Sequence, residues 1–207
     1  MNATPSRPFP LQPWLRLGVA FALALLAAPR SPAQAVAPAA PLGNTTIYII
    51  RHAEKPDEGP ELTAAGEKRA EAYVDYFSRL RVDKQPVKIE HLFATADSKN
   101  SARPRLTLTP LSHALKLPID LRFDPEDFQK LAEEIHAHDH GRCIVICWHH
   151  GTIPGLLAEL GMEPARLLPG GEWPKDVFNW VLELRYDAEG KLRPKHSSRT
   201  VMRWSGN

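Results

Sequence analysis

At residues 45–52 the sequence reads Thr-Thr-Ile-Tyr-Ile-Ile-Arg-His, a nearly unbroken β-branched and apolar run that ends in two basic side chains. Such a run is typical of a strand that is buried on both faces, as strands inside parallel sheets are. In these sheets ligands bind beyond the carboxyl ends of the strands. The stretch therefore predicts a buried strand and places Arg51 and His52 at a candidate binding edge.

A second stretch repeats this pattern farther along the chain. Residues 142–148 predict another buried strand, and His149 and His150 follow it directly. Between the two stretches, a helix is predicted to open near Arg103 and Arg105. Histidines and arginines that converge on one edge indicate an anion site, because guanidinium groups offer forked donors to phosphate oxygens. A small phosphorylated substrate is the predicted ligand.

The remaining residues supply the other elements of an α/β sheet. Helical or alternating spacing predicts helices over 64–80, 101–115, 125–138 and 152–160, and strands over 89–94, 117–123, 177–186 and 200–204. Pro110 is expected to break or kink the second helix. Alternating strands and helices predict an α/β fold, a three-layer α/β/α sandwich with a mostly parallel sheet, in one domain over residues 44–207.

Four blocks of the sequence form a recognisable series. They are Ile49–Lys55 around Arg-His, Leu62–Gly66, Phe93–Thr95 followed by Arg105-x-Thr107, and Cys143–His149 followed by Thr152–Pro154. In their order and spacing these blocks resemble the motifs of the histidine phosphatase superfamily, the phosphoglycerate mutase-like proteins. The resemblance covers about residues 45–160. It implies a phosphoglycerate mutase-like fold and a phosphoric monoester hydrolase.

The resemblance also implies a mechanism that needs no metal and no other cofactor. His52 would attack phosphorus to give a phosphohistidine, and water would then hydrolyse it. Arg51, Arg105 and His149 would hold the phosphate oxygens in the transition state. The sequence shows no long insertion that could close over the site, so hydrolysis is favoured over mutase chemistry. The alternative is a catalytically silent module of the same fold that binds phosphate or a phospholigand.

Two roles have competing candidates. Counted back from Pro110, Arg105 occupies the family position of the second arginine, so it is preferred to Arg103. Glu126 is preferred as the general acid, because the family often takes a carboxylate from the segment after that arginine. The competing carboxylates are Asp124, Asp127 and Glu54.

The chain departs from the family around the second histidine. Where the family commonly has Gly-His-Ser or Gly-His-Gly, this chain has Trp148-His149-His150. Trp148 does not allow the close backbone approach of a glycine, and His150 adds an imidazole. We expect Trp148, His150 and Glu54 to border the site, where they narrow the substrate range, tune the pocket or mark lost activity.

Residues 136–140 read His-Ala-His-Asp-His. Three alternating histidines can bind a transition metal loosely. A third functional hypothesis therefore joins this tract with His149 and His150 in a His-rich metal-binding protein. The interpretation favoured by the sequence is a helix end, where cationic side chains suit the helix dipole.

The amino-terminal segment has the pattern of an export signal. Residues 1–35 contain no acidic side chain, and a basic start and a short apolar run lead to Ala33-Gln-Ala35. We expect a signal peptide over residues 1–35, a mobile leader over 36–43 and a periplasmic or secreted mature protein, with no membrane contact after cleavage. The alternative is an uncleaved membrane anchor.

Charge and cysteine content narrow the remaining possibilities. The formal charge is +2, and removal of the three arginines in residues 1–35 lowers the 26 basic residues to 23 against 24 acidic ones. Without a dense basic run, a nucleic acid partner is not expected. Cys143 and Cys147, four residues apart on one strand, would lie roughly 13 Å apart and are predicted to be core residues without a disulfide. The sequence leaves the oligomeric state open.

Overall fold

A computed structural model describes Met1 and residues 40–82 and 84–203. The predicted signal peptide, apart from Met1, and residues 36–39 of the predicted leader lie outside the described residues. The residues from position 40 onward form one compact unit. Among them, no helix has both the length and the apolar character needed to cross a membrane.

The elements follow the predicted alternation of strands and helices. The strands are β1 (Thr46–Arg51), β2 (Arg81–Val82), β3 (Gln85–Pro86), β4 (His91–Thr95), β5 (Ile119–Phe123), β6 (Cys143–Trp148), β7 (Trp180–Arg185) and β8 (Ser198–Val201). The helices are α1 (Ala64–Arg79), α2 (Arg103–Leu115), α3 (Phe128–Ala137) and α4 (Ile153–Glu159), with 3-10 turns at Pro164–Arg166, Pro169–Gly171 and Pro194–His196.

Within the described chain, the main sheet has six strands in the order β5-β4-β6-β1-β7-β8. Strands β5, β4, β6 and β1 are parallel, whereas β7 and β8 run antiparallel to their neighbours. In the pairing of β1 with β6, Arg51 lies opposite Trp148. The residues that follow these two strands therefore emerge side by side at the carboxyl edge of the sheet.

The sheet is covered on both faces, because its central strands are apolar on both sides. Ile47 and Ile49 pack on the side of α3 and α4, while Tyr48 and Ile50 pack on the side of α1 and α2. Every residue of β1 and of β6 is buried. The predicted three-layer α/β/α sandwich with a mostly parallel sheet is confirmed.

The structure tests the predictions for the two cysteines and for Pro110. Cys143 and Cys147 are confirmed as buried free cysteines, and both pack with the α1 and α2 side of the core. Of the two effects expected at Pro110, the break is wrong, because α2 continues from Arg103 to Leu115 through this proline, and the kink stays a prediction. The missing N–H at Pro110 removes one helical hydrogen bond without ending the helix.

Candidate active site

Two histidine rings meet at the carboxyl edge of the sheet. His52 follows β1 and His149 follows β6, and the backbone N–H of His52 donates to the carbonyl of Trp148 at 3.1 Å. The ring centroids of His52 and His149 are 5.1 Å apart, edge to face. The pairing of the two strands thus brings together imidazoles that are 97 positions apart in the chain.

The His52 ring is fixed in one tautomer. Its Nδ1 lies 2.7 Å from the carbonyl oxygen of Ala53. A carbonyl can only accept, so Nδ1 carries the hydrogen and Nε2 keeps the lone pair. Burial lowers the pKa of His52 to about 3, and the charges of His149, Arg51 and Arg103 lower it further, against a hydrogen bond to Ala53 that raises it. The ring is therefore neutral near pH 7, as a nitrogen nucleophile must be.

His149 presents a polar atom without a partner. Its Nε2 is buried and makes no hydrogen bond among the residues that the structure describes. Burial lowers the pKa of His149 to about 4, and the positive charge of Arg103 acts in the same direction. A buried ring nitrogen without a partner is costly unless a ligand or water reaches it.

Arg51 is held from behind by a loop near the end of the chain. Its Nη1 donates to the carbonyls of Lys175 at 2.7 Å and Val177 at 2.9 Å, and more weakly to that of Pro174 at 3.3 Å. The Phe178 ring lies 3.8 Å from the guanidinium carbon. Burial lowers the pKa of Arg51 to about 10, so this side chain remains cationic near pH 7. These contacts fix the guanidinium before any ligand arrives.

The structure brings Arg103 to the histidines and turns Arg105 away, which reverses our preference for Arg105 as the phosphate ligand. Arg103 is 9% exposed, its Nη1 donates to the carbonyl of Gly59 at 2.8 Å, and its charge lowers the pKa of both histidines. Arg105 instead pairs with Asp97 at 2.7 Å near the surface. Positions two apart on a helix point about 200° apart, so only one of the two arginines can face the site.

Thr107 connects α2 to the loop that carries His52. Its hydroxyl donates to the carbonyl of Arg103 at 2.8 Å and accepts from the backbone N–H of Ala53 at 2.8 Å. One buried side chain thereby sets the distance between the arginine of α2 and the His52 loop. The Arg-x-x-x-Thr spacing of Arg103 and Thr107 is the sequence pattern that identifies Arg103 as the inward arginine. Counting back from Pro110 selected Arg105 instead.

Comparison with solved structures supplies the family of the fold. A protein from Agrobacterium tumefaciens assigned as the phosphohistidine phosphatase SixA matches at a TM-score of 0.50 with 17% identity, covering 77% of this chain and 96% of that one. A protein from Escherichia coli K-12 assigned as an alpha-ribazole-5'-P phosphatase matches at 0.50 with 15% identity, covering 78% and 97%. The chain has the histidine phosphatase fold. No protein-family model and no curated protein matches it by sequence.

In this histidine phosphatase fold, the start of α1 supports the loop after His52. The backbone N–H of Thr63 donates to the carbonyl of Glu54 at 3.0 Å. A Cβ at Gly66 would lie 2.5 Å from the same oxygen, so the approach requires glycine. Arg69 binds the Glu54 carboxylate through Nε at 2.9 Å. Glu54 therefore anchors the loop, and its carboxylate is already engaged by a cation.

The other candidate acids lie in the segment before α3. Asp127 pairs with Lys130 at 2.7 Å. Asp124 and Glu126 are exposed, and no contact places either carboxylate against the two histidines. The segment nevertheless lies beside the end of β6, because the indole N–H of Trp148 donates to the carbonyl of Pro125 at 3.1 Å. Glu126 stays a prediction as the general acid.

Trp148 lies in the core, and its predicted place on the rim is wrong. It is fully buried and packs with Ile144 and Ile146 on the α3 and α4 side. Alternation along β6 points its side chain into that layer, and the segment before α3 covers it. His150 is only partly buried, and burial together with the charges of Arg51, Lys175 and Lys55 lowers its pKa. The exposed Lys55 and Lys175 act on His150 and make this side of the site, its mouth, positively charged.

The structure also revises the hypothesis of one His-rich metal site. His149 and His150 follow β6, whereas His140 precedes its first residue, Cys143. Six strand residues separate the ends by about 20 Å. The tract at 136–140 and the two later histidines cannot bind one ion.

Loop residues 174–178 contribute contacts to the site that sequence reasoning missed. Phe178 contacts both Arg51 and His52, with ring centroids of Phe178 and His52 6.3 Å apart. The indole N–H of Trp173 donates to the carbonyl of Val177 at 2.8 Å, and Trp173 is buried beneath the loop. Backbone carbonyls hold Arg51, and every residue type has one. The sequence of this segment therefore could not predict the contact.

Proposed function

We propose that this chain is a metal-independent phosphatase of the histidine phosphatase superfamily, which hydrolyses a small phosphomonoester through a phosphohistidine on His52. The neutral, tautomer-fixed ring of His52 beside two buried arginines and the unpartnered Nε2 of His149 is the observation that carries the proposal. The shared fold with proteins assigned as phosphatases supports it.

In the first step, the Nε2 lone pair of His52 forms a bond to phosphorus while the ester P–O bond breaks. The leaving alkoxide takes a proton from a general acid, for which Glu126 remains our candidate. Glu54 and Asp127 are held by cations, which leaves Asp124 as the competitor. Arg51 and Arg103 offset the charge on the phosphoryl oxygens, and His149 donates a hydrogen bond to one of them. His149 is therefore both a catalytic and a phosphate-binding residue in this scheme.

In the second step, a water oxygen bonds to phosphorus as the N–P bond breaks. The water gives up one proton to the carboxylate that acted as the general acid, inorganic phosphate leaves, and His52 recovers its lone pair. The cationic groups around His150 would attract the doubly charged substrate to the mouth.

The test compares phosphate release from several phosphomonoesters by the full chain, His52→Ala and His136→Ala, with chelator present. His136 is an exposed histidine on α3 and serves as the matched control. We expect His52→Ala to lose at least about 10³-fold in turnover and His136→Ala to behave as wild type. Equal turnover in all three proteins would refute the phosphohistidine mechanism.

A binding module of the same fold is the second candidate. It is favoured by the occupied Nη1 of Arg51 and by the engaged carboxylates of Glu54 and Asp127. Saturable binding of inorganic phosphate by folded protein, with no turnover of any phosphomonoester, would select this module over the enzyme.

We also propose that residues 1–35 direct export and are then removed. The basic start, the apolar run and the Ala-x-Ala end support this. Amino-terminal sequencing of the protein recovered from periplasm or medium should begin at Val36. An intact amino terminus in the membrane fraction would instead favour the anchor.

A further inference from the structure

A second cluster of histidines lies at the amino edge of the sheet, opposite His52 and His149. His91 opens β4, and His140 precedes β6. Glu134 and His138 come from the last turn and the end of α3. These side chains meet on the α3 side of the sheet, where the His91 and His140 ring centroids are 4.7 Å apart.

The geometry of three of these side chains suits one cation. One ligand atom from each of Glu134, His138 and His140 lies within 4.8 Å of the others. Nδ1 of His138 is 3.3 Å from one carboxylate oxygen of Glu134, and Nε2 of His140 is 3.4 Å from the other. Tetrahedral zinc with bonds of about 2.0–2.2 Å separates its ligand atoms by roughly 3.4 Å. Both distances to Glu134 match this separation. To bind such an ion, Nδ1 of His138 would give up its contact with the backbone carbonyl of Glu134 at 3.3 Å.

His140 supplies an independent observation. Its side chain is only 9% exposed, and its Nε2 is buried without a hydrogen bond among the described residues. The ring is clamped by Phe93, at 5.1 Å between centroids, as well as by His91. A buried nitrogen needs a partner, and a cation bound by both His140 and Glu134 would supply one.

The Glu134 carboxylate is also held in place. Arg122 donates to one of its oxygens at 3.0 Å and to Asp120 at 2.8 Å. Metal-ligating carboxylates are commonly oriented by such outer hydrogen bonds. The Arg122 charge opposes a cation, so the site should bind less tightly than a closed structural zinc site. His138 is 62% exposed, which leaves one side open to water and to exchange.

We propose that Glu134, His138 and His140 form a binding site for a divalent transition metal of the zinc class, with water in the fourth position. Imidazole with a carboxylate is a donor set that suits zinc, copper and nickel. The site lies about 20 Å from the phosphate site along β6, so it does not depend on the proposed phosphatase chemistry. His136 is not part of it, because its Nε2 faces the carbonyl of Glu159 at 3.4 Å.

The test is a zinc titration of the full chain, without a polyhistidine tag and stripped of metal, against a chromophoric chelator. We expect one equivalent of zinc, and a cobalt complex with the absorption of tetrahedral coordination. His138→Ala, at an exposed position that should leave the fold intact, should weaken zinc affinity at least about tenfold. His140→Ala should do the same if circular dichroism shows that it folds.

His136→Ala is the matched control from the same tract and should bind zinc as wild type. Folded protein that takes up no stoichiometric zinc would overturn the proposal. So would equal affinities of wild type and His138→Ala. A loss in His136→Ala as large as in His138→Ala would also overturn it, by showing loose binding along the whole tract.

Discussion

Arg103 and Arg105 differ by two positions in the sequence and by roughly half a helical turn in space. Arg103 lies buried beside the histidines, whereas Arg105 pairs with Asp97 near the surface. Arg103→Ala should therefore cut phosphomonoester turnover by about 10²- to 10³-fold, because a fixed charge on the transition state is lost. Arg105→Ala, the matched control, should stay near wild type in the same assay. Equal losses would refute the assignment of the pocket to Arg103, and the opposite order would place it on the other face of α2.

Because His52 and His149 are buried in neutral form, the free energy of unfolding should decrease as the pH falls. The folded-state pKa is about 3 for His52 and about 4 for His149, while an unfolded histidine titrates near about 6.5. Their contribution to the free energy of unfolding is full above the unfolded-state pKa. It falls with pH toward the two folded-state values, because the unfolded chain binds protons that the folded chain does not.

Urea unfolding at about pH 7.5 and about pH 4.5 tests this dependence. Between the higher and the lower pH, the free energy of unfolding should fall more in wild type than in His149→Gln. His113→Gln, at an exposed histidine of α2, should lose as much as wild type. An undiminished acid loss in His149→Gln would show that another group controls it.

At the scale of elements, the last residue of β6 joins the strand to the segment before α3. Trp148 is fully buried and its indole binds the Pro125 carbonyl. Trp148→Gly should lower the free energy of unfolding by about 3–5 kcal/mol, and Trp148→Phe by less, because the phenyl ring still fills much of the space. Urea denaturation measures both. If Trp148→Gly were as stable as wild type and had a changed substrate range, Trp148 would border the site rather than support the core.

The loop at 174–178 contributes to the candidate site through its backbone. Phe178 stacks on Arg51 while three carbonyls of the loop bind Nη1. Phe178→Leu removes the aromatic face, so kcat/KM should fall by roughly 3- to 30-fold, as a partly buried cation–π contact would give. Phe178→Tyr keeps the ring and should retain most activity. If leucine and tyrosine gave the same kcat/KM, the stacking would have no role in positioning Arg51.

At the scale of the whole molecule, the two edges of the sheet should act independently. The residues proposed to bind phosphate lie where β1 and β6 end. Glu134, His138 and His140 lie at the opposite edge. Removal of metal from the full chain should leave phosphate release within about twofold of the loaded protein, since sites this far apart couple weakly across a rigid sheet. The check is a parallel assay with and without chelator. A large loss on chelation would show that the edges are coupled.

The sequence predicted most of the layered fold, because β1 and β6 are apolar on both sides and end in basic residues. It also placed His52 and His149 correctly at one edge, since parallel strands expose their carboxyl ends together. It failed where the answer depends on contacts between distant segments. The start of α2 sets which arginine faces inward, and the cover over Trp148 comes from the segment at 124–127. At residues 136–140 the sequence raised a metal tract but favoured a plain helix end, because it did not show that Glu134 faces His138 and His140 or that His140 is buried.

The backbone carbonyls that accept hydrogen bonds from Arg51 lie 123 to 126 positions later in the chain. A ribosome makes the arginine long before it makes these partners. While the chain grows, β1 and β6 can pair, yet the guanidinium has nothing to fix its direction until residues 174–178 have been made and have folded back. A partly synthesised chain would thus carry His52 without a fixed Arg51, and the proposed phosphate site would be complete only after residues 174–178 have folded back.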